Sequence, residues 1–316
     1  MDSRDQVVER IPDDDRVPYD YLVSACGYEG RATTVAKMLE TRVAKHIVHE
    51  YANESQFSYD KNKLFFKYLS ADFVDLFGFD WSSRLALTDS GPGVRVAVDI
   101  SCMDRDLIAW LVAELSQFES REVLSVDYYY TPGKYTPGLF GSAGTITVNR
   151  PARGLEGWAT YPDRPLACVV GLGYEGELAL AAVESLEPSG LYAYSPRGVD
   201  EQYDVVVEAN NADFLRSMSE PCVFYNIKEP LTLYRSLHSL ARTLSLECRL
   251  VLVPLGPKIF ALASALVAST YAEHVSMWRV SSGEDRVPEE RVEAGAPLGL
   301  RVTVRFVETQ ESYQEF

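Results

Sequence analysis

A tyrosine and a glutamate between two glycines occur twice in the chain, as Gly27-Tyr-Glu-Gly30 and Gly173-Tyr-Glu-Gly176. Each copy stands between an apolar run and a helix-like stretch, so each is predicted to be a turn from strand to helix. The glycines suit such a turn, but the turn requires neither an aromatic ring nor an acid. The tyrosines could stack on a base, and the glutamates could accept hydrogen bonds from its edge or from ribose. Alternatively, each glutamate favours the positive end of the helix that follows.

Basic residues near the ends of strand-like runs could bind phosphate. Arg31 directly follows the first repeat, Arg105 and Lys134 follow later apolar runs, and Lys258 follows a Gly-Pro turn. A phosphate pairs with such cations and with loop N–H donors, so these four residues are candidate phosphate ligands. The alternative for each of them is a role on the exposed surface.

Three side chains are candidates for catalysis. Cys102 precedes a helix-like stretch, where the pKa of a thiol can be lowered. Glu29 or Glu175 could act as a general acid or base if burial raised its pKa. His46 and His49 lie in a strand-like run, in which residues i and i+3 point to opposite faces, so no histidine-based metal site is predicted.

The run Gly171-Leu-Gly-Tyr-Glu-Gly176 has the G-x-G-x-x-G spacing of a dinucleotide-binding turn, after a strand-like run and before a helix-like one. The first half has Ala25 in place of the first glycine. No acidic residue that could bind ribose closes the run 191–196. A nicotinamide or flavin cofactor is therefore the less favoured interpretation; no cofactor is assigned, and a nucleotide is the expected ligand.

Further strand-loop-helix patterns recur along the two halves. We match the run 94–100 with 222–227, and the run 123–130 with 249–254, together with the loops that follow them. Residues 60–79 carry apolar side chains at near-helical spacing, which is typical of a helix packed on a core. An internal repeat of this kind indicates a duplicated fold.

The predicted fold class is α/β, with two duplicated Rossmann-like three-layer units whose sheets are mainly parallel and related by a pseudo-twofold arrangement. Residues 1–149 would form the first half with an acidic N-terminal tail that includes Asp13–Asp15, 150–165 a linker rich in proline and glycine, and 166–316 the second half. The alternating run 300–307 would be its C-terminal edge strand, antiparallel to its neighbour.

In a parallel sheet, ligands bind beyond the carboxyl ends of the strands, so the repeated loops of both halves should form one composite site. The candidate ligand-binding residues are Gly27, Tyr28, Glu29, Arg31, Ser101, Arg105, Lys134, Tyr135, Gly171, Gly173, Tyr174, Glu175, Asn226 and Lys258.

The net charge of −16 argues against long duplex nucleic acid and against a membrane surface as partners. No apolar run approaches the roughly 20 residues that span a bilayer, and the N-terminus lacks the pattern of a secretory signal. Five widely spaced cysteines are neither a disulfide framework nor a zinc site. We therefore expect a cytoplasmic protein.

Two segments carry a resemblance to known families. Val98-Asp-Ile-Ser101, followed by a turn and a helix, resembles the fourth-strand motif of CRISPR-associated Rossmann-fold (CARF) sensor domains. Pro254-Leu-Gly-Pro-Lys-Ile-Phe-Ala-Leu-Ala263 resembles the proline-containing turn of SAVED domains, which are fused pairs of CARF-like units. The resemblance implies a sensor of cyclic or linear oligonucleotide second messengers in bacterial antiviral defence. It also implies that a separate protein is the effector.

Three functions are therefore compared. The favoured one is a protein that binds or senses a nucleotide or oligonucleotide second messenger. The second is an enzyme that acts on a nucleotide or its glycosidic bond through Glu29 or Glu175. The third is a noncatalytic subunit of a multiprotein complex.

Overall fold

The computed structural model describes residues 3–51, 56–85, 93–117, 123–136, 146–157, 161–282 and 289–307. The strands in these ranges are β1 (Ser3–Glu9), β2 (Tyr19–Cys26), β3 (Val43–Glu50), β4 (Asp72–Val74), β5 (Gly93–Asp99), β6 (Val123–Tyr130), β7 (Val148–Pro151), β8 (Leu166–Gly171), β9 (Gly190–Arg197), β10 (Val223–Asn226), β11 (Arg249–Pro254), β12 (Val275–Ser281) and β13 (Leu298–Val307). The α-helices are α1 (Thr34–Met38), α2 (Tyr59–Tyr68), α3 (Trp81–Leu85), α4 (Arg105–Ser116), α5 (Gly176–Leu186), α6 (Glu201–Asn210), α7 (Ala212–Ser217), α8 (Pro230–Leu244) and α9 (Lys258–Thr270).

Two sheets contain these strands, and each has a parallel core of five. The first core has the order β4-β3-β2-β5-β6 and the second β10-β9-β8-β11-β12. Counted within each half, both orders are 3-2-1-4-5, the arrangement of a Rossmann-like unit. The predicted α/β fold with two such units is therefore confirmed.

Each half completes its sheet with a strand from elsewhere in the chain. β7, from the segment that joins the halves, pairs antiparallel with β12 of the second sheet. β13, which follows the second half, pairs antiparallel with β6 of the first sheet, and β1 pairs with its other side. The C-terminal strand is thus antiparallel, as expected, but it lies inside the first sheet and not at an edge of the second. The limits of the two halves stay a prediction.

The order of the strands also corrects our matching of the repeats. β5 is the fourth strand of its unit, and its counterpart is β11 and not β10. The third strand of the first half is the short β4, which lies in the segment 60–79 that we interpreted as helical. In that segment Tyr59–Tyr68 is α-helix and Leu76–Gly78 a single turn of 3-10 helix. Both β10 and β11 are short apolar runs before a helix, so their sequences look alike. They differ in burial: three residues of β10 are exposed, while β11 is buried almost throughout.

Two helices pack the halves together, and each begins at a loop that carries predicted site residues. α4 follows β5, α9 follows β11, and the two helices pack against each other. Residues 259–268 of α9 are all buried, which explains why this helix is apolar on every side. Since α4 and α9 belong to one hydrophobic cluster with both sheets, the loops before them are held close together.

The acidic N-terminal segment is not a solvated tail. β1 belongs to the first sheet, and the side chain of Asp15 is 7% exposed between Arg95 and Arg301. Burial by itself raises the pKa of Asp15, but hydrogen bonds from Arg301 and Arg95 outweigh this effect and hold the pKa far below its ordinary value. Only Asp13 and Asp14 of the acidic run are exposed.

Candidate functional site

Loops from the two halves meet where α4 and α9 begin. Lys258 Nζ donates to the carbonyl oxygen of Ser101 at 2.6 Å. Arg105 Nη2 donates to the carbonyls of Leu255 and Gly256 at 2.8 and 2.9 Å. The loops that the sequence placed at the carboxyl ends of two different sheets therefore converge. Arg105 and Lys258, predicted to bind phosphate, hold the halves together through main-chain oxygens.

The turn of the first repeat buries an arginine at this junction. The side chain of Arg31 is 2% exposed, and its Nε donates to Glu29 Oε2 at 2.5 Å. Its Nη1 donates to the carbonyl of Thr131, and its guanidinium lies 5.7 Å from the ring centroid of Tyr130. Arg31 is thus a buried, fully oriented cation, whereas the sequence suggested a phosphate ligand or an exposed surface residue.

The charges of three cations act on the carboxylate of Glu29. Burial raises the pKa of Glu29, but the charges of Arg31, Lys258 and Arg291 outweigh burial and leave it below the ordinary value. Burial lowers the pKa of Lys258, and Glu29 offsets part of that decrease. Glu29 is therefore an anion at neutral pH. The raised pKa that a general acid needs is therefore absent at Glu29, whereas the ionised form is the one that a general base uses.

The loop after β5 is ordered by buried polar contacts. Asp99 Oδ1 accepts from Ser101 N at 3.0 Å, and Ser101 Oγ accepts from Thr131 N at 2.8 Å. Burial raises the pKa of Asp99 to about 6 against the opposing effect of its hydrogen bonds from Ser101. Burial also raises the pKa of the Cys102 thiol, so the lowered pKa that a nucleophile needs is absent. Gly27 lies against this cysteine, since an added Cβ would be 3.3 Å from Cβ of Cys102.

Tyrosines line the same junction. The ring of Tyr203 lies 5.1 Å from that of Tyr174 and 5.1 Å from that of Tyr135, and its hydroxyl donates to the carbonyl of Lys134 at 2.7 Å. Burial, with the neighbouring Tyr203, raises the pKa of Tyr174. Tyr28, its counterpart in the first repeat, instead lies 6.0 Å from the ring of Phe57.

A segment that the sequence did not single out covers the junction. We call residues 289–294 the strap. The carbonyls of Arg291 and Val292 accept from the backbone N–H groups of Arg31 and Lys134 at 3.3 and 2.9 Å, and Ala294 N donates to the carbonyl of Pro132 at 2.9 Å. Although burial lowers the pKa of Arg291, Glu29 outweighs this and raises it. The acidic run around Arg291 carries no motif, so no local signal could have found the strap.

The glycines of the second repeat are accounted for by packing. An added Cβ at Gly171 would lie 2.3 Å from the ring of Phe260, and one at Gly173 would lie 2.3 Å from the carbonyl oxygen of Leu255. At Gly176 it would lie 1.7 Å from the carbonyl oxygen of Asn210. Protein atoms thus fill the space beside each glycine of the G-x-G-x-x-G run.

Other predicted residues lie apart from the cluster or in surface positions. Asn226 ends the strand β10 at the edge of the second sheet, is exposed, and accepts from Lys228 N at 2.9 Å. Lys134 contributes its main chain, while its side chain is exposed. Glu175 is half-buried where α5 begins. His46 and His49 are buried in β3, and within the described ranges no group of three or more acidic, histidine or cysteine side chains could hold a metal ion.

Comparisons with known proteins are sparse. No family model matches the chain, and no curated protein matches it. One solved structure, the cytoplasmic domain of a prokaryotic cation chloride cotransporter, is similar over 85% of this chain and 98% of its own, with 14% identity and a TM-score of 0.23. In the part of the chain that the structure describes, no helix has both the length and the apolar character to cross a membrane.

Proposed function

We propose that this protein binds a nucleotide or oligonucleotide second messenger at the junction of its two halves and acts as a sensor. One observation carries the proposal: loops of both halves converge on a cluster in which the charges of Arg31, Lys258 and Arg291 act on the carboxylate of Glu29. Glu289 pairs with Arg291, and Asp99 lies within the influence of Arg31 and Lys258. In a chain with a net charge of −16, three cations gathered at one junction suit an anionic ligand.

The tyrosines beside the cations supply the second element of nucleotide recognition. Tyr174 and Tyr203 come from the second half, and Tyr203 bonds to a loop of the first. Aromatic rings stack on bases and cations pair with phosphates, so a nucleotide would contact both halves at once. A ligand that contacts both halves would change the arrangement of one half relative to the other. We propose that this change signals binding.

The resemblance to CARF and SAVED domains supports an oligonucleotide as the ligand, a role in bacterial antiviral defence, and an effector on a separate chain. No comparison tests that resemblance, and it stays a prediction. The strap bonds to the loops at the junction, so ligand entry would require it to shift.

The test begins with the natively purified protein, which is denatured so that released small molecules can be identified by mass spectrometry. Thermal-shift titrations of mono-, di- and cyclic nucleotides follow. A ligand that binds the folded state should raise the melting temperature with its concentration. In Arg291→Gln the affinity should fall by roughly 10-fold or more, since hydrogen bonds to charged groups contribute about 1.5–3 kcal/mol.

Arg216→Gln is the matched control, because this arginine is exposed on α7 and pairs with the nearby Asp213. It should bind like the wild type. If nothing is retained and no nucleotide of the panel shifts the melting temperature, nucleotide sensing is wrong. Equal loss in both variants would show that the cluster is not the site.

The strap favours a second candidate, the noncatalytic subunit of a complex. Main-chain bonds hold it across the junction, as in a site filled by its own chain. Stable copurification with one partner, together with no response to nucleotides, would support this function.

A further inference from the structure

A cavity of about 220 Å³ opens beside the first repeat, between α1 and α2. The residues that matter for its chemistry are Gly30, Lys37, Ser58, Lys61, Asn62 and Phe65. We call it the outer cavity. It is separate from the cluster around Glu29, and the contacts that define the two sites involve different cations.

The wall of the outer cavity is tied firmly to the first repeat. Asn62 is 3% exposed, and its Nδ2 donates to the carbonyls of Gly27 and Glu29 at 2.9 Å each. Ser58 N donates to the carbonyl of Tyr28 at 3.1 Å. The start of α2 therefore has a defined position relative to the turn, and the backbone of this cavity wall is held in place.

The lining combines positive charge with an aromatic surface. Lys37 and Lys61 come from the two helices on either side, and both are exposed. Lys37 Nζ lies 5.2 Å from the ring centroid of Phe65. Two lysines that line one small cavity favour an anion, and each ammonium group can donate up to three hydrogen bonds to its oxygens.

A carboxylate of the protein is already bonded to a polar side chain of this cavity. Ser58 Oγ donates to Glu290 Oε1 at 2.5 Å. The same oxygen lies 3.8 Å from the place that a Cβ on Gly30 would take, and Gly30 lines the cavity. Glu290 belongs to the strap. An external anion that bonded to Ser58 would therefore compete with Glu290.

We propose that the outer cavity binds a phosphate group, either free or at the end of a phosphomonoester, and that Glu290 occupies the place of this group in the empty protein. Lys37 and Lys61 pair with the phosphate, and Ser58 donates its hydroxyl to it. Release of Glu290 removes one anchor of the strap. The site does not depend on nucleotide binding at the junction.

The test uses the full chain and inorganic phosphate as the probe, with binding followed by ³¹P line broadening and by thermal shift. The double variant Lys37→Ala/Lys61→Ala should bind phosphate at least about 10-fold more weakly, since two charged contacts are lost. Lys45→Ala is the matched control, because Lys45 also lies over an aromatic ring, that of Tyr21 at 5.7 Å, but does not line the outer cavity. It should bind like the wild type. In Glu290→Gln, which keeps an acceptor for Ser58 without the charge, phosphate should bind several-fold more tightly.

Adenosine monophosphate, titrated in parallel on the wild type and on Arg291→Gln, separates the sources of the phosphate. Tighter binding of the nucleotide than of phosphate, unchanged in Arg291→Gln and lost in the double lysine variant, indicates a phosphomonoester in the outer cavity. Equal binding of both indicates free phosphate. No phosphate binding, equal binding in the wild type and the double variant, or weaker binding in Glu290→Gln overturns the proposal. Suppose that phosphate binds in the outer cavity but that Arg291→Gln changes the affinity for no nucleotide. The proposed function at the junction is then wrong, while the proposal for the outer cavity is supported.

Discussion

Substitution of Gly171 by alanine separates packing from ligand binding as the reason for the G-x-G-x-x-G run. The new methyl group would lie 2.3 Å from both Cδ1 and Cε1 of Phe260, far inside contact distance. That ring is fully buried, and its centroid lies 5.8 Å from that of Tyr194 and 5.5 Å from that of Tyr225, so a shift of the ring would disturb the packing of the core. We expect Gly171→Ala to lower the free energy of unfolding by about 1–3 kcal/mol, the usual cost of overpacking a core.

A double-mutant cycle ties this loss to the one contact. Phe260→Leu removes the ring atoms that the methyl would meet. In Gly171→Ala/Phe260→Leu the loss should therefore be smaller than the sum of the two single losses, by at least about 0.5 kcal/mol. The measurement is urea unfolding followed by circular dichroism and tryptophan fluorescence together, so that departure from a single transition in this two-unit protein is detected.

Gly190→Ala is the control, because an added Cβ there would be 3.8 Å from its nearest neighbours, at ordinary contact distance. Its stability should stay within about 0.5 kcal/mol of the wild type. The packing explanation would be refuted if Gly171→Ala were as mild as this control or if the cycle were additive. If the substitution left stability unchanged and weakened nucleotide binding, the glycine would serve a ligand.

Two further predictions concern titrating groups at the junction. Because burial raises the pKa of Asp99 to about 6, the folded state binds more protons than the unfolded state between about pH 4 and 6, and wild-type stability should fall relative to Asp99→Asn as pH rises through this window. Urea unfolding at stepped pH measures this difference, and parallel curves for the two proteins would contradict it. Because burial raises the pKa of the Cys102 thiol, iodoacetamide should label it far more slowly than free cysteine at mildly alkaline pH. Peptide mass spectrometry measures the labelling rate, with the half-buried Cys248 as the internal comparison. Labelling of Cys102 as fast as free cysteine would contradict the prediction and support Cys102 as a nucleophile.

Much of the fold follows from local patterns. β2, β5, β8 and β11 are nearly continuous apolar runs, which is expected for parallel strands buried on both faces, and each ends in a turn that opens a helix. The carboxyl ends of such strands lie at one end of their sheet. The loops at Glu29, Ser101 and Lys258 were therefore predictable as neighbours of one site.

The positions of the short strands within their sheets were not predictable in this way. β10 and β11 have similar composition, and β4 is only three residues long beside an aromatic helix. Which of them lies at an edge depends on the neighbours already in the sheet. The alternation in β13 predicts a strand with one buried face, but no local feature says that the open edge of β6 will receive it.

The sequence by itself determined the repeated turns, the two parallel cores and the kinds of side chain that lie after each strand, because burial and turn formation depend on residues close together in the chain. Only the tertiary structure decided that β7 joins the second sheet and β13 the first, that Phe260 fills the space at Gly171, and that the charges of Arg291 and Glu29 interact. It also decided that Arg105 and Lys258 bond to main-chain carbonyls across the junction. The physical reason is that a buried charged side chain bonds to the polar groups that packing places next to it. Here those groups lie far away in the sequence.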